Sequence, residues 1–169
     1  MNYTRNELLL SEATMNQMRN AIYHLQRFLK INGISEIRER MRRMGRNIAH
    51  TYVRYWKPID FINESNVKDV IATIYKNILN SNVSIELDSV NTKIVVKDND
   101  CPLCKYHFED IDTAGCEIIV AMVAEFINLI NKESKDSSSI SLQHLNIETS
   151  RTFGNKACIQ NFIFKVGGN

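Results

Sequence analysis

The sequence predicts an α+β fold, with helices packed on an antiparallel sheet in the order ααα-ββ-α-ββ. Three observations carry this expectation. Three stretches in the first half have apolar residues at helical spacing. The period drops to two over residues 83–97 and again over 140–166. Between these a single stretch is apolar nearly all round.

The chain has 169 residues, two prolines and six glycines. The length suits one domain with one core, and the scarcity of breakers favours long helices. With 44% hydrophobic and 24% charged residues the balance is that of a folded globular chain, and the net charge of +2 does not ask for nucleic acid. No stretch approaches the ~18 apolar residues of a membrane span, and the N-terminus lacks a signal-peptide layout. A cytoplasmic setting, with any membrane contact peripheral, is therefore expected.

Thr4 and Glu7 stand at capping-box spacing and open a first helix of about 32 residues. Leu8, Ser11, Met15, Met18, Ile22, Leu25 and Leu29 then alternate by three and four, a heptad seam of the kind that faces a partner helix, and Gly33 ends it. Residues 1–33 are thus expected to be an oligomerisation helix, with Leu8, Met15, Met18, Ile22, Leu25 and Leu29 in its interface, and 34–169 to be the domain proper. Ser35 is the expected cap of a second helix running to about Trp56, striped by Ile37, Met41, Met44, Ile48, Tyr52 and Tyr55. Gly45 interrupts that stripe, at about 1 kcal/mol against Ala, which implies another backbone close by. A third helix spans about Ser65–Leu79. Val83–Lys97 reads as a hairpin turning over Asp88–Asn91. After a polar loop at 98–112, Asp112 or Thr113 caps the apolar helix Ala114–Lys132. Lys135–Ser139 is a loop, and a second hairpin, Ile140–Thr149 and Ala157–Val166, turns around Gly154 and Asn155.

Several of these segments resemble the TRAPP small subunits of the Bet-three type and the related 4-vinyl reductase domains. The residues concerned are Arg43-Met44-Gly45-Arg46-Asn47-Ile48-Ala49, the helix Val67–Lys76, Cys101-Pro102-Leu103 followed by Phe108-Glu109-Asp110, and the strand Ala157–Phe164. The match covers about residues 35–166. The resemblance implies a TRAPP/4-vinyl-reductase-like fold and small subunits that pack side by side through helices, as in vesicle tethering. It also implies a cavity for an acyl chain or another apolar ligand along the buried helix, which would place Val120, Val123, Phe126 and Ile127 in its lining; read from the residues alone, they equally suit a filled core. One TRAPP branch carries an acylated cysteine between the second and third helices, but Lys57–Asn66 contains none. The sensor branch of the 4-vinyl reductase domains binds zinc. Cys116 and Cys158 match two of its ligand positions, whereas Ser150 and Ile147 stand where a cysteine and a glutamate would be.

The sharpest chemical signal read from the residues themselves is Cys101-Pro-Leu-Cys104-Lys-Tyr-His107. A C-x2-C pair lets two thiolates hold one ion from a tight turn, with His107 on the same loop. Cys116 and Cys158 complete a set if loop, helix start and last strand converge. The expectation is one structural zinc on Cys101, Cys104 and Cys116, with Cys158 or His107 as the fourth ligand. Two other readings stand beside it: four inert buried thiols, or a redox-active dithiol at Cys101 and Cys104. Arg38, Arg42 and Arg46 share a helical stripe, which suits phosphates or, more simply, a solvated face neutralised by Glu36 and Glu39 and by acidic residues of a partner. No Ser-His-Asp order, nucleotide loop, nicotinamide motif or flavin motif is present, so no catalytic residue is expected. Two functions follow. The first is a non-enzymatic assembly subunit, a homodimer or a partner of related small subunits. The second is a sensor or carrier of a lipid or other apolar ligand with structural zinc.

Overall fold

Three helices lead the chain: α1 (Arg5–Ile31), α2 (Ile37–Tyr52) and α3 (Val67–Leu79). The hairpin β1 (Val83–Asp88) and β2 (Lys93–Asp98) follows, then α4 (Cys116–Asn131), β3 (Ile140–Thr149), a 3₁₀ turn at Arg151–Phe153, and β4 (Cys158–Val166). The computed structural model describes residues 4–132 and 136–167, with the side chains of Glu7, Leu8 and Ser11 left out. The fold is α+β, four helices on a four-stranded antiparallel sheet ordered β1-β2-β4-β3. The last strand is therefore central. Its Cys158 stands opposite Asp98 of β2, and β3 flanks its other side through two register shifts.

The elements agree with the expected order, and their ends differ for local reasons. The second helix begins at Ile37, with Glu36 in the capping position and no side-chain cap from Ser35. The last helix starts at Cys116 behind Gly115 instead of behind Asp112 or Thr113. The expected capping box rests on the side chain of Glu7, and the expected 135–139 loop begins at Lys135, both outside what is described.

α4 is the centre of the core. Thirteen of its residues are buried, from Cys116 through Asn131, because α2 covers one side and the sheet another. Gly45 is what lets α2 approach: a Cβ there would lie 2.1 Å from the Ile118 carbonyl oxygen and 2.9 Å from the Met122 nitrogen. The buried residues of α2 are Met41, Gly45 and Ala49, one small i, i+4 row. Tyr52 and Tyr55, expected on the buried stripe, are exposed. Two asparagines at the far end of α4 tie it to its surroundings. Asn131 donates to the carbonyls of Ile62 and Ile140 and accepts from the Ile62 amide, while Asn128 exchanges bonds with both backbone groups of Leu142. In a segment this apolar, each amide satisfies backbone groups that would otherwise be buried unpaired.

Candidate metal centre

Four cysteines meet at the start of α4. Cys101 and Cys104 come from the loop after β2, Cys116 from the first residue of the helix, and Cys158 from the first residue of β4. All four are fully buried and unbridged. The sulfurs of Cys101, Cys104 and Cys158 lie within 4.8 Å of one another, and Cys116 is in side-chain contact with all three. Four thiolates around a tetrahedral zinc, with Zn–S near ~2.3 Å, stand about 3.8 Å apart. Three of the sulfurs, those of Cys101, Cys104 and Cys158, thus have nearly the spacing of such a site and could hold an ion, whereas Cys116, expected among the first three ligands, lies beside that group of three.

Its surroundings supply hydrogen bonds to sulfur. The Arg151 amide donates to Cys158 Sγ at 3.4 Å. The Ser150 hydroxyl lies 3.7 Å from Cys158 Sγ and 3.9 Å from Cys116 Sγ. Ser150, which stands in place of a sensor-branch ligand, therefore becomes a partner of two sulfurs and caps the 3₁₀ turn by accepting from the Thr152 amide. The Cys101–Cys104 turn, closed by the Cys104 amide on the Cys101 carbonyl at 3.1 Å, brings two sulfurs to the place from another direction.

Their neighbours act on the thiols unevenly. Burial pushes Cys101 up, and its sulfur contacts with Cys104, Cys116 and Cys158 push it further. Cys116 is drawn down by Cys101, but its contacts with Cys104 and Cys158 and its burial outweigh this, so it too is raised. Burial also penalises a charge on Cys104, yet the hydrogen bonds that Cys101, Cys116 and Cys158 give it hold it well below the usual thiol range. Of these three, Cys104 is the one whose charged form its neighbours favour. A dication would supply the charge needed for all four to ionise.

His107 lies outside the cluster. It is exposed, and its Nδ1 is 2.8 Å from the Thr152 carbonyl oxygen. Val120, Val123, Phe126 and Ile127 are all buried in the core, and none of them lines either of the two described surface clefts. Of the seam, Ile22 and Leu29 are buried against the domain, Met15 is half-buried, and Met18 and Leu25 are exposed. The side chain of Leu8 is outside the described residues.

The arginine stripe is neutralised within the chain by a residue the sequence did not single out. Glu117, buried in the first turn of α4, receives Arg42 at 2.7 Å and Arg38 at 3.2 Å. Arg46 pairs with Glu39, and His50 reaches Glu125 at 3.0 Å. The available signal was that Glu117 and Glu125 are the acids of an otherwise apolar helix. Arg19 and Tyr23 were also missed, since they lie beside the heptad positions. Both are buried on α1.

The chain is an α+β protein with a TRAPP-like fold, in which a loop, a helix start and a strand bring four cysteines to one place. Among solved structures the chain is similar to a trafficking protein particle complex subunit 3 from Naegleria fowleri, covalently bound to palmitic acid. The TM-score is 0.60 and the identity 10%, over 93% of this chain and 98% of that one. At such identity the likeness shows the fold alone. No protein-family model matches, and no curated protein sequence does. No described helix is long and apolar enough to cross a membrane.

Proposed function

We propose that this chain is a non-enzymatic assembly subunit that pairs with a second copy of itself through α1 and carries a structural zinc on Cys101, Cys104, Cys116 and Cys158. The observation behind the pairing is an apolar stripe left uncovered beside the buried face of α1. Leu10 is 68% exposed, Met18 49%, Leu25 38% and Phe28 61%, and Thr14 and Ala21 continue the row. Steps of three and four place these residues on one side of the helix. The row is self-complementary. In an antiparallel pair centred near residue 19, Leu10 of one copy meets Phe28 of the other, Thr14 meets Leu25, and Met18 meets Ala21. That is the isologous pattern of a two-fold dimer. A stripe of this length is a liability on a lone subunit.

Deleting α1 is the wrong test, because Arg19, Ile22, Tyr23, Gln26 and Leu29 are buried against the domain. The double substitution Leu25→Glu/Phe28→Glu touches only the exposed row. It is expected to halve the mass in light scattering with little change in melting temperature, and an unchanged oligomer would refute the pairing. For the zinc, protein purified without metal-affinity resin is expected to hold close to one zinc per chain. Less than about 0.2, with four freely titrating thiols, leaves inert thiols as the answer. Such thiols persist in a reducing compartment, in keeping with a cytoplasmic site of action.

The carrier reading has the palmitate of the structural neighbour in its favour. Here an acyl chain would have to displace Val120, Val123, Phe126 or Ile127 from the core, which is why assembly comes first.

A further inference from the structure

We infer that α1 is the cover of the cysteine centre, with Tyr23 and Arg19 positioning the C-x2-C turn, so that metal loading and docking of α1 stabilise each other. This rests on the zinc reading above. The Tyr23 hydroxyl is 2.6 Å from the Leu103 carbonyl oxygen, 2.8 Å from the Thr152 hydroxyl and 4.0 Å from Cys104 Sγ. One oxygen from α1 thus touches both the C-x2-C turn and the 3₁₀ turn that precedes β4. Arg19 donates to the Pro102 carbonyl at 2.9 Å. Both residues between Cys101 and Cys104 are therefore held from the same helix.

The rest of the contact is built around that grip. The ring of Tyr23 packs on Phe108 with centroids 4.5 Å apart. Arg27 pairs with Asp110, Lys30 with Asp112 and Lys105 with Glu12, forming a rim of ion pairs. A glycine gives the hydroxyl its room: a Cβ at Gly115 would stand 2.8 Å from Tyr23 Oη and 3.0 Å from the Leu103 carbonyl oxygen. Gly115 has an ordinary helical φ of −59°, so contact with α1 and the loop is what excludes a side chain there.

An ion that fixes residues 101–104 fixes the carbonyls on which Arg19 and Tyr23 dock. By linkage, the docked helix must raise the affinity for the ion by the same factor. The apolar row that α1 presents for pairing is then held more firmly while the centre is loaded. Groups that orient metal ligands from outside typically change metal affinity by about 10–100-fold.

The test uses full-length protein loaded with Zn²⁺. Release of zinc to a chromogenic chelator is compared for wild type, Tyr23→Phe and Gly115→Ala, together with amide exchange before and after stripping. Tyr23→Phe keeps the ring on Phe108 and removes only the hydroxyl. Release about tenfold faster or more is expected in both variants, and stripping is expected to loosen α1 and residues 98–115 while the β1–β2 hairpin stays protected. Equal release in wild type and both variants overturns the coupling and leaves the zinc reading standing. Uniform loss of protection on stripping also overturns it, in favour of an ion that supports the whole fold. A wild type that takes up no zinc removes the zinc reading and the coupling together.

Discussion

Gly45→Ala adds one methyl group at the closest approach of two helices. The added carbon would lie 2.1 Å from the Ile118 carbonyl oxygen, and both Ile118 and Met122 offer backbone atoms, which cannot rotate away. Ordinary carbon–oxygen contacts begin above 3 Å, so the helices must part by about 1 Å. Overpacking of a core typically costs about 1–3 kcal/mol, and a forced backbone shift belongs at the upper end. Alanine returns roughly 1 kcal/mol through its better helix propensity. The net expectation is a loss of about 2 kcal/mol. For a chain of this size that lowers the melting temperature by about 4–8 °C. Thermal melting and urea unfolding of the purified variant measure it, and Asn47→Ala, on the exposed side of the same helix, is the control. A Gly45→Ala protein as stable as wild type would show that α2 does not approach α4 this closely.

Two further outcomes follow from the α2 face. Glu117→Ala leaves Arg42, which is mostly buried, without its carboxylate. Breaking a buried pair costs about 3–5 kcal/mol, and because Arg38 on the same carboxylate is largely exposed, the expected loss in urea unfolding is about 2–3 kcal/mol, with Glu117→Gln losing less. His144 is held below its usual range first by burial and then by Arg42 and Arg46, with Glu39 opposing them. The unfolded chain therefore binds this proton more tightly. Stability contributed by neutral His144 is present above about pH 6.5 and is lost as pH falls through that value towards the lower folded one. In His144→Gln, stability is expected to fall less than in wild type between pH 7 and 5, and an identical decline in both proteins would count against the effect.

Element order was legible because it rests on local periodicity. Helical spacing of apolar residues marked α3, a run apolar nearly all round marked α4, and alternation marked both hairpins almost to the residue. Gly45 was legible as a contact because a glycine in mid-helix loses stability that a close neighbouring backbone can offset. The facing of α1 was not. Its apolar arc is wider than one partner needs, and the heptad pattern does not say that the domain takes Ile22 and Leu29 while leaving Met18 and Leu25 outside. Nor could spacing reveal Tyr23 and Arg19, since their partners are backbone carbonyls some eighty positions away. The cysteines were individually visible. Their convergence depends on a loop folding back over a helix start, a tertiary fact. Ser150 looked like a missing ligand because a template was applied position by position, whereas the C-x2-C turn brings its sulfurs from a different side.

The place of β4 in the sheet bears on how the protein comes into being. β2 and β3 do not touch; each meets the other only through the last strand, whose first residue is Cys158. As the chain is synthesised, the β1–β2 hairpin and the three leading helices can form early, because their contacts are local. The sheet then stays in two pieces, and Cys101, Cys104 and Cys116 wait as an open set of thiols. Arrival of β4 joins the two pieces and delivers the fourth sulfur in a single event. For the zinc proposed above, capture would then be a late step in biogenesis, a seal set only on a chain translated through Cys158 and paired in the right register.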